Sequence, residues 1–175
     1  MIELRIGRLE ESAAEAILRP VAADWSPVTP AMRRLDEAAG AAVAEQCARL
    51  GELPVGSAAI TAAGQLDAQF LVHVVVRSRD EPVNPAIVAR ALLNGLRRLA
   101  EWEIGSVALP ALGTGAGNLD AEEAAEAMLP VLTAHLNASS HPSRLTLVLE
   151  GEYEHAAFAA ALARHAGSEL GAPGA

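Results

Sequence analysis

Three glycines fall within five positions, at 113, 115 and 117, in the stretch LPALGTGAGNLDAEEAA (109–125), between an apolar run and an acid-rich segment of helical character. A backbone without Cβ atoms turns sharply and approaches a ligand closely, so this spacing suits the cradling of an anion by main-chain amides. Neither common phosphate fingerprint fits. The dinucleotide motif needs a glycine three positions after Gly115, where Asn118 stands, and the Walker A loop needs a lysine, of which the chain has none. The same absence removes Schiff-base chemistry. His135, His141, His155 and His165 are scattered over helix ends and loops without metal-ligand spacing, Ser26, Ser57 and Ser106 lack an elbow motif, and no carboxylates pair at catalytic spacing. No catalytic residue, metal ligand or cofactor is therefore assigned. His73, inside the apolar run QFLVHVVVR, reads as a buried hydrogen-bonded histidine, and the single cysteine, Cys47, at helical spacing among alanines and leucines, as a buried structural thiol.

The elements that position the glycine loop alternate. Strands are expected at 2–6, 15–21, 57–61, 69–77, 106–112 and 144–150. Thr29 with Pro30 caps a long helix reaching Gly51, Asn84 with Pro85 opens one reaching about Glu103, and Asp120 with Glu123 makes a capping-box pair for a helix over 121–137. A last helix begins near Tyr153. The order β-β-α-β-β-α-β-α-β-α implies a three-layer α/β/α sandwich around a mixed sheet of six strands, mixed because two hairpin-like β-β steps interrupt the crossover units. With 175 residues, half of them apolar, the chain has the size of one domain, expected over 1–167, followed by a flexible small-residue tail at 168–175. The loop leaves the strand 106–112 and enters a capped helix, so its amides and the helix dipole are expected to converge on an anion.

A net charge of −9 argues against binding a nucleic-acid backbone. No run reaches the length of a membrane span, and the start MIELRIGRLEES lacks the order of a signal peptide, which makes the cytoplasm the expected location.

Together these residues resemble the macro domain family, the ADP-ribose-binding module. The resemblance rests on SVALPAL followed by GTGAGNLDAEEAA, on Gly56, Ala58 and Thr61 in a G-x-A-x-x-T pattern, and on the pair Val72-His73 at the following strand. It covers most of residues 2–165 and implies a diphosphate ligand such as ADP-ribose, with Gly113, Thr114, Gly115, Ala116, Gly117 and Asn118 around the diphosphate and distal ribose. At the first loop and the base it implies Arg8, Ala22, Ala23, Asp24 and Tyr153. Arg8 stands where the family carries an aspartate that accepts from the adenine amino group, and arginine has no acceptor, so base preference is expected to be altered. Aligned without gaps, EAILRPVAAD puts Arg19 and Ala22 at the family's two asparagines; a two-residue insertion instead puts Asp24 at the second. WSPVTPAMRR replaces the family's glycine-rich loop and cannot offer a run of free amides. Trp25 either covers the cleft by stacking or packs in the core, and Tyr153 either stacks on a base or packs at a helix start. The resemblance implies a binding module without efficient catalysis; the alternatives are a hydrolase or deacetylase of ADP-ribose derivatives and a scaffold that self-associates as a homodimer.

Overall fold

All seven residues of the strand Ala16–Ala22 are buried, a pattern that requires helices on both faces of the sheet. A computed structural model, describing residues 1–115 and 119–169 without the side chains of 167–169, shows how this is met. Strands β1 (Ile2–Ile6), β2 (Ala16–Ala22), β3 (Ala58–Ala62), β4 (Phe70–Arg77), β5 (Ser106–Leu109) and β6 (Arg144–Leu149) form one sheet in the order β1-β6-β5-β2-β4-β3. Helices α3 (Pro85–Glu101), α4 (Ala121–Ala138) and α5 (Glu152–Glu169) bury one face over Leu18, Val72, Val74, Leu109 and Leu147. Helices α1 (Pro30–Ala39) and α2 (Ala41–Leu50) cover Ile17, Leu71, Ala108 and Val148 on the other. The period of two sends Leu18 and Ile17 to opposite layers. The expected three-layer α/β/α sandwich with a mixed six-stranded sheet is the fold observed.

Local capping signals translate directly into structure. Thr29 accepts from Met32 N (3.2 Å), Asn84 from Ile87 N (2.9 Å), and Asp120 and Glu123 satisfy each other's backbone amides. Two expectations are corrected. The helix from Pro30 to Gly51 is two helices, because Gly40 at φ +87° breaks the ladder and caps both. The first β-β step is not a hairpin: β1 pairs in parallel with β6, two strands away from β2, and only β3 with β4 is antiparallel. The short 3-10 turn Leu9–Glu11 carries the chain between them with Leu9 buried. Helix α5 runs to Glu169, past the end expected at 167, and the rest of the tail lies outside the described residues. Among the described residues no helix is long and apolar enough to cross a membrane.

Candidate functional site

Strands β2 and β5 are the neighbours at which the strand order switches direction, and their pairing stops at Ile17 with Ala108. Beyond that point β2 continues through Arg19 and Pro20 while β5 ends at Leu109. Pro20 has no N–H to donate, so it suits a position facing no β5 partner. The divergence opens a cleft of about 190 Å³ at the carboxyl ends of the strands, the place where ligands bind open α/β sheets. Its walls are Gly7 and Leu9 after β1, Thr29–Met32 at the start of α1, Pro110, Ala111 and Gly113–Gly115 after β5, and Val148, Glu150 and Glu154 from the β6–α5 corner.

The glycine loop takes its shape from positive dihedrals. Gly113 lies at φ +80° and Gly115 at φ +121°, a region that favours glycine. A Cβ on Gly113 would meet Val88 Cγ2 at 2.7 Å and Val83 Cγ1 at 2.9 Å, so glycine is also demanded by packing. Leu119 N donates to Gly113 O (3.0 Å) and closes the loop. Ala116, Gly117 and Asn118, expected at the ligand, lie outside the described residues.

Of the other expected site residues, the fold brings few into the cleft. Arg8 sits between the wall residues Gly7 and Leu9, with its side chain exposed and 3.9 Å from Glu11. Tyr153 is exposed and donates its hydroxyl to Glu122 Oε2 (2.7 Å). Ala22, Ala23 and Asp24 border a broader depression of about 1050 Å³ at the ends of β2 and β4, with Arg77–Asp80 and Val83. Because Val83 also packs at Gly113, that depression adjoins the glycine loop. Among the described residues the first turn of α4 does not line this cleft, and the Asp120 carboxylate accepts from Glu123 N (2.8 Å). On the α1 side Pro30 offers no amide, Met32 N is capped by Thr29 and Arg33 N reaches Thr29 O.

The sequence places the acids of EGEYEH near the cleft but assigns none of them a role. Glu154 Oε1 accepts from the Thr114 hydroxyl (3.2 Å) and its Oε2 from Glu150 N (3.0 Å). Glu150 pairs with Arg34 (2.6 Å), which also approaches Glu10 at 3.4 Å. The stretch EGEYEH shows these acids next to the end of a strand, but nothing in it says that the first turn of α5 aims Glu154 at the loop forty residues earlier.

Beneath the cleft lies a polar cluster inside the α1–α2 core. Arg19, 2% exposed, donates from Nε to His73 Nδ1 (2.8 Å) and pairs with Asp36 on α1. With Nδ1 accepting, His73 carries its proton on Nε2 and gives it to Thr61 Oγ1 (2.8 Å), whose hydroxyl goes on to Ala62 O (3.0 Å). His73 is fully buried, and burial first, then the Arg19 charge, push its pKa well below the ordinary value. Trp25, at φ +70°, meets His73 in a T-shaped contact with ring centroids 5.3 Å apart and donates to Gly51 O (2.7 Å), which favours the packing reading of this residue. Cys47 is buried in the same cluster, and desolvation raises its pKa.

A histidine neutral in the fold and free to protonate when unfolded makes stability pH-dependent. The unfolded chain binds the extra proton once the pH falls below the ordinary histidine value of about 6.5, so the contribution present above that value is lost on acidification. Urea unfolding between pH 7 and pH 5 is expected to show stability falling, with a share approaching about 1.4 kcal/mol per pH unit from His73. That share should vanish in His73→Gln; an unchanged slope in the variant would contradict the assignment.

The architecture is a three-layer α/β/α sandwich with a glycine-loop cleft at the switch point of its sheet. The Macro domain model matches residues 32–128, and the chain belongs to that family. An uncharacterized protein of Aeropyrum pernix is 31% identical over 153 residues, 87% of this chain and 80% of that protein. An O-acetyl-ADP-ribose deacetylase of Klebsiella pneumoniae is 32% identical over 137 residues, 75% of this chain and 78% of that protein. Among solved structures, the Oceanobacillus iheyensis macrodomain with ADP superposes with a TM-score of 0.86 at 19% identity, over 95% of this chain and 92% of that one.

Proposed function

We propose that this chain binds ADP-ribose or a related nucleoside diphosphate in the cleft between β2 and β5, without efficient turnover. The observation that carries the reading is the loop Gly113–Gly115, which lines the cleft at the carboxyl end of β5 with Gly113 and Gly115 at positive φ, a conformation suited to presenting main-chain amides to an anion. Such an amide concavity holds phosphate whatever the net charge of the protein. Family membership, a structural neighbour holding ADP and a relative named as a deacetylase of an ADP-ribose ester support the choice of ligand. The diphosphate lies against Gly113, Thr114 and Gly115, and the distal ribose points toward the adjoining depression bordered by Ala22, Ala23, Asp24 and Val83. The nucleoside half lies toward Gly7, Arg8 and the β6–α5 corner with Tyr153. The segment WSPVTPAMRR in place of the family's glycine-rich first loop supports binding without efficient turnover. The same reading places the protein in the cytoplasm, and its charge of −9 favours a small-molecule ligand over a nucleic-acid backbone.

The reading predicts that 1 mM ADP-ribose raises the free energy of urea unfolding by about 1.4 kcal/mol or more, the linkage expected for a Kd of about 100 µM or tighter. O-acetyl-ADP-ribose should give the same stabilisation and be recovered intact. Its deacetylation would establish the enzymatic alternative. No stabilisation by either compound would leave the self-associating scaffold, visible as a concentration-dependent mass in solution.

A further inference from the structure

Glu154 is held from two sides: the Thr114 hydroxyl of the glycine loop donates to one carboxylate oxygen and the Glu150 amide at the end of β6 to the other. The carboxylate is thereby fixed in the cleft wall, where it is half-buried and keeps a free lone pair on each oxygen. The neighbouring cation does not neutralise it, because Arg34 is engaged by Glu150 and Glu10, and among the described residues Glu154 has no counter-ion. An acceptor-only group in a partly desolvated wall repels phosphate and carbonyl oxygens and rewards an N–H or O–H donor. The adjacent Arg8 cannot supply an acceptor.

We propose that Glu154 is a specificity-determining residue that accepts a hydrogen bond from the nucleoside half of the ligand, either from the exocyclic amine of the base or from a ribose hydroxyl. This rests on the nucleoside diphosphate reading of the cleft. With the diphosphate on the Gly113–Gly115 amides, the unit next to it along the ligand is the nucleoside, and its donors face the β6–α5 corner. Thr114, whose hydroxyl lies 3.2 Å from Glu154 Oε1 and 3.4 Å from Ala111 O, then serves the ligand through its amide and positions the carboxylate.

The test is calorimetric titration of the wild type and Glu154→Ala with three ligands: ADP, inosine diphosphate, which replaces the amine by a carbonyl, and 2′,3′-dideoxy-ADP, which lacks the hydroxyls. The wild type is expected to bind one of the two analogues at least about tenfold more weakly than ADP, the loss of a charge-assisted hydrogen bond. Glu154→Ala should bind ADP and that analogue with equal affinity. Which analogue suffers identifies the donor. Equal affinities in the wild type, or a ratio that survives in Glu154→Ala, would overturn the proposal; a purely structural role lowers all three affinities by one factor and leaves the ratio intact. Glu154→Gln, which preserves side-chain size, should shrink the same ratio and serves if the alanine variant is poorly folded. If the wild type bound neither ADP nor ADP-ribose, the functional reading itself would fall and the role of Glu154 with it.

Discussion

Gly115→Val is expected to weaken ADP-ribose binding by at least about a hundredfold, close to 2.7 kcal/mol, in a protein that remains folded. Gly115 lies at φ +121° in the cleft wall. A β-branched residue there faces two costs at once. Its Cβ is strained by about 1–3 kcal/mol in that region of dihedral space, and relief of the strain rotates the amide out of the direction in which it meets the ligand. In the proposed reading its side chain also takes room at a wall position that the ligand occupies. The variant should therefore lose a modest part of its stability and nearly all of its affinity. Gly113→Val separates the two effects differently, because its Cβ meets Val88, Val83 and Leu119 within 3.2 Å; it should lose stability first. Wild-type affinity in a folded Gly115→Val protein would place the ligand elsewhere.

Arg19→Ala is expected to lower the unfolding free energy by about 3–5 kcal/mol, the range for removing one partner of a buried pair. Three consequences add. His73 Nδ1 loses its donor inside the core, Asp36 on α1 loses its cation, and the space of a long side chain empties beneath the cleft. Asp36 is 34% exposed and can recover water, which sets the expectation toward the lower end. Because Arg19 precedes Pro20 in the wall and Asp36 is on the helix whose first turn forms the opposite side, the variant should also bind ADP-ribose more weakly. Urea unfolding measures the first effect, and a loss below about 1 kcal/mol, the worth of an exposed ion pair, would show that the cluster does not hold α1 to the sheet.

Local rules made much of this molecule legible. Thr29, Asn84 and the Asp120–Glu123 box act within one helical turn, so their residue types alone locate the starts of α1, α3 and α4. The glycine loop is legible for the same reason: its conformational demand is written in the residues themselves. What failed depends on contacts far apart in sequence. Whether β1 pairs with β2 or with β6 is decided by burial across the sheet, since both pairings suit the alternation of IELRI. Gly40 looks like a tolerable interruption of a helical pattern until Gln65 N is seen taking Ala39 O, the carbonyl at the break. The buried role of Arg19 is invisible in EAILRPVAAD, because a charge in a strand signals a core position only once His73 and Asp36 are placed beside it. The role of Glu154 is not legible for a related reason: its neighbour Tyr153 carries the more conspicuous side chain, but the turn of α5 sends the tyrosine to Glu122 at the surface and the glutamate to the glycine loop.

Titration of the purified protein with ADP-ribose, with ADP and ribose 5-phosphate as controls, tests the central claim most directly. Saturable binding of one equivalent with a Kd below about 100 µM, or about −5.5 kcal/mol, together with competition by ADP and weaker binding of ribose 5-phosphate, is the predicted result. Absence of heat and of competition at millimolar ADP-ribose would contradict it.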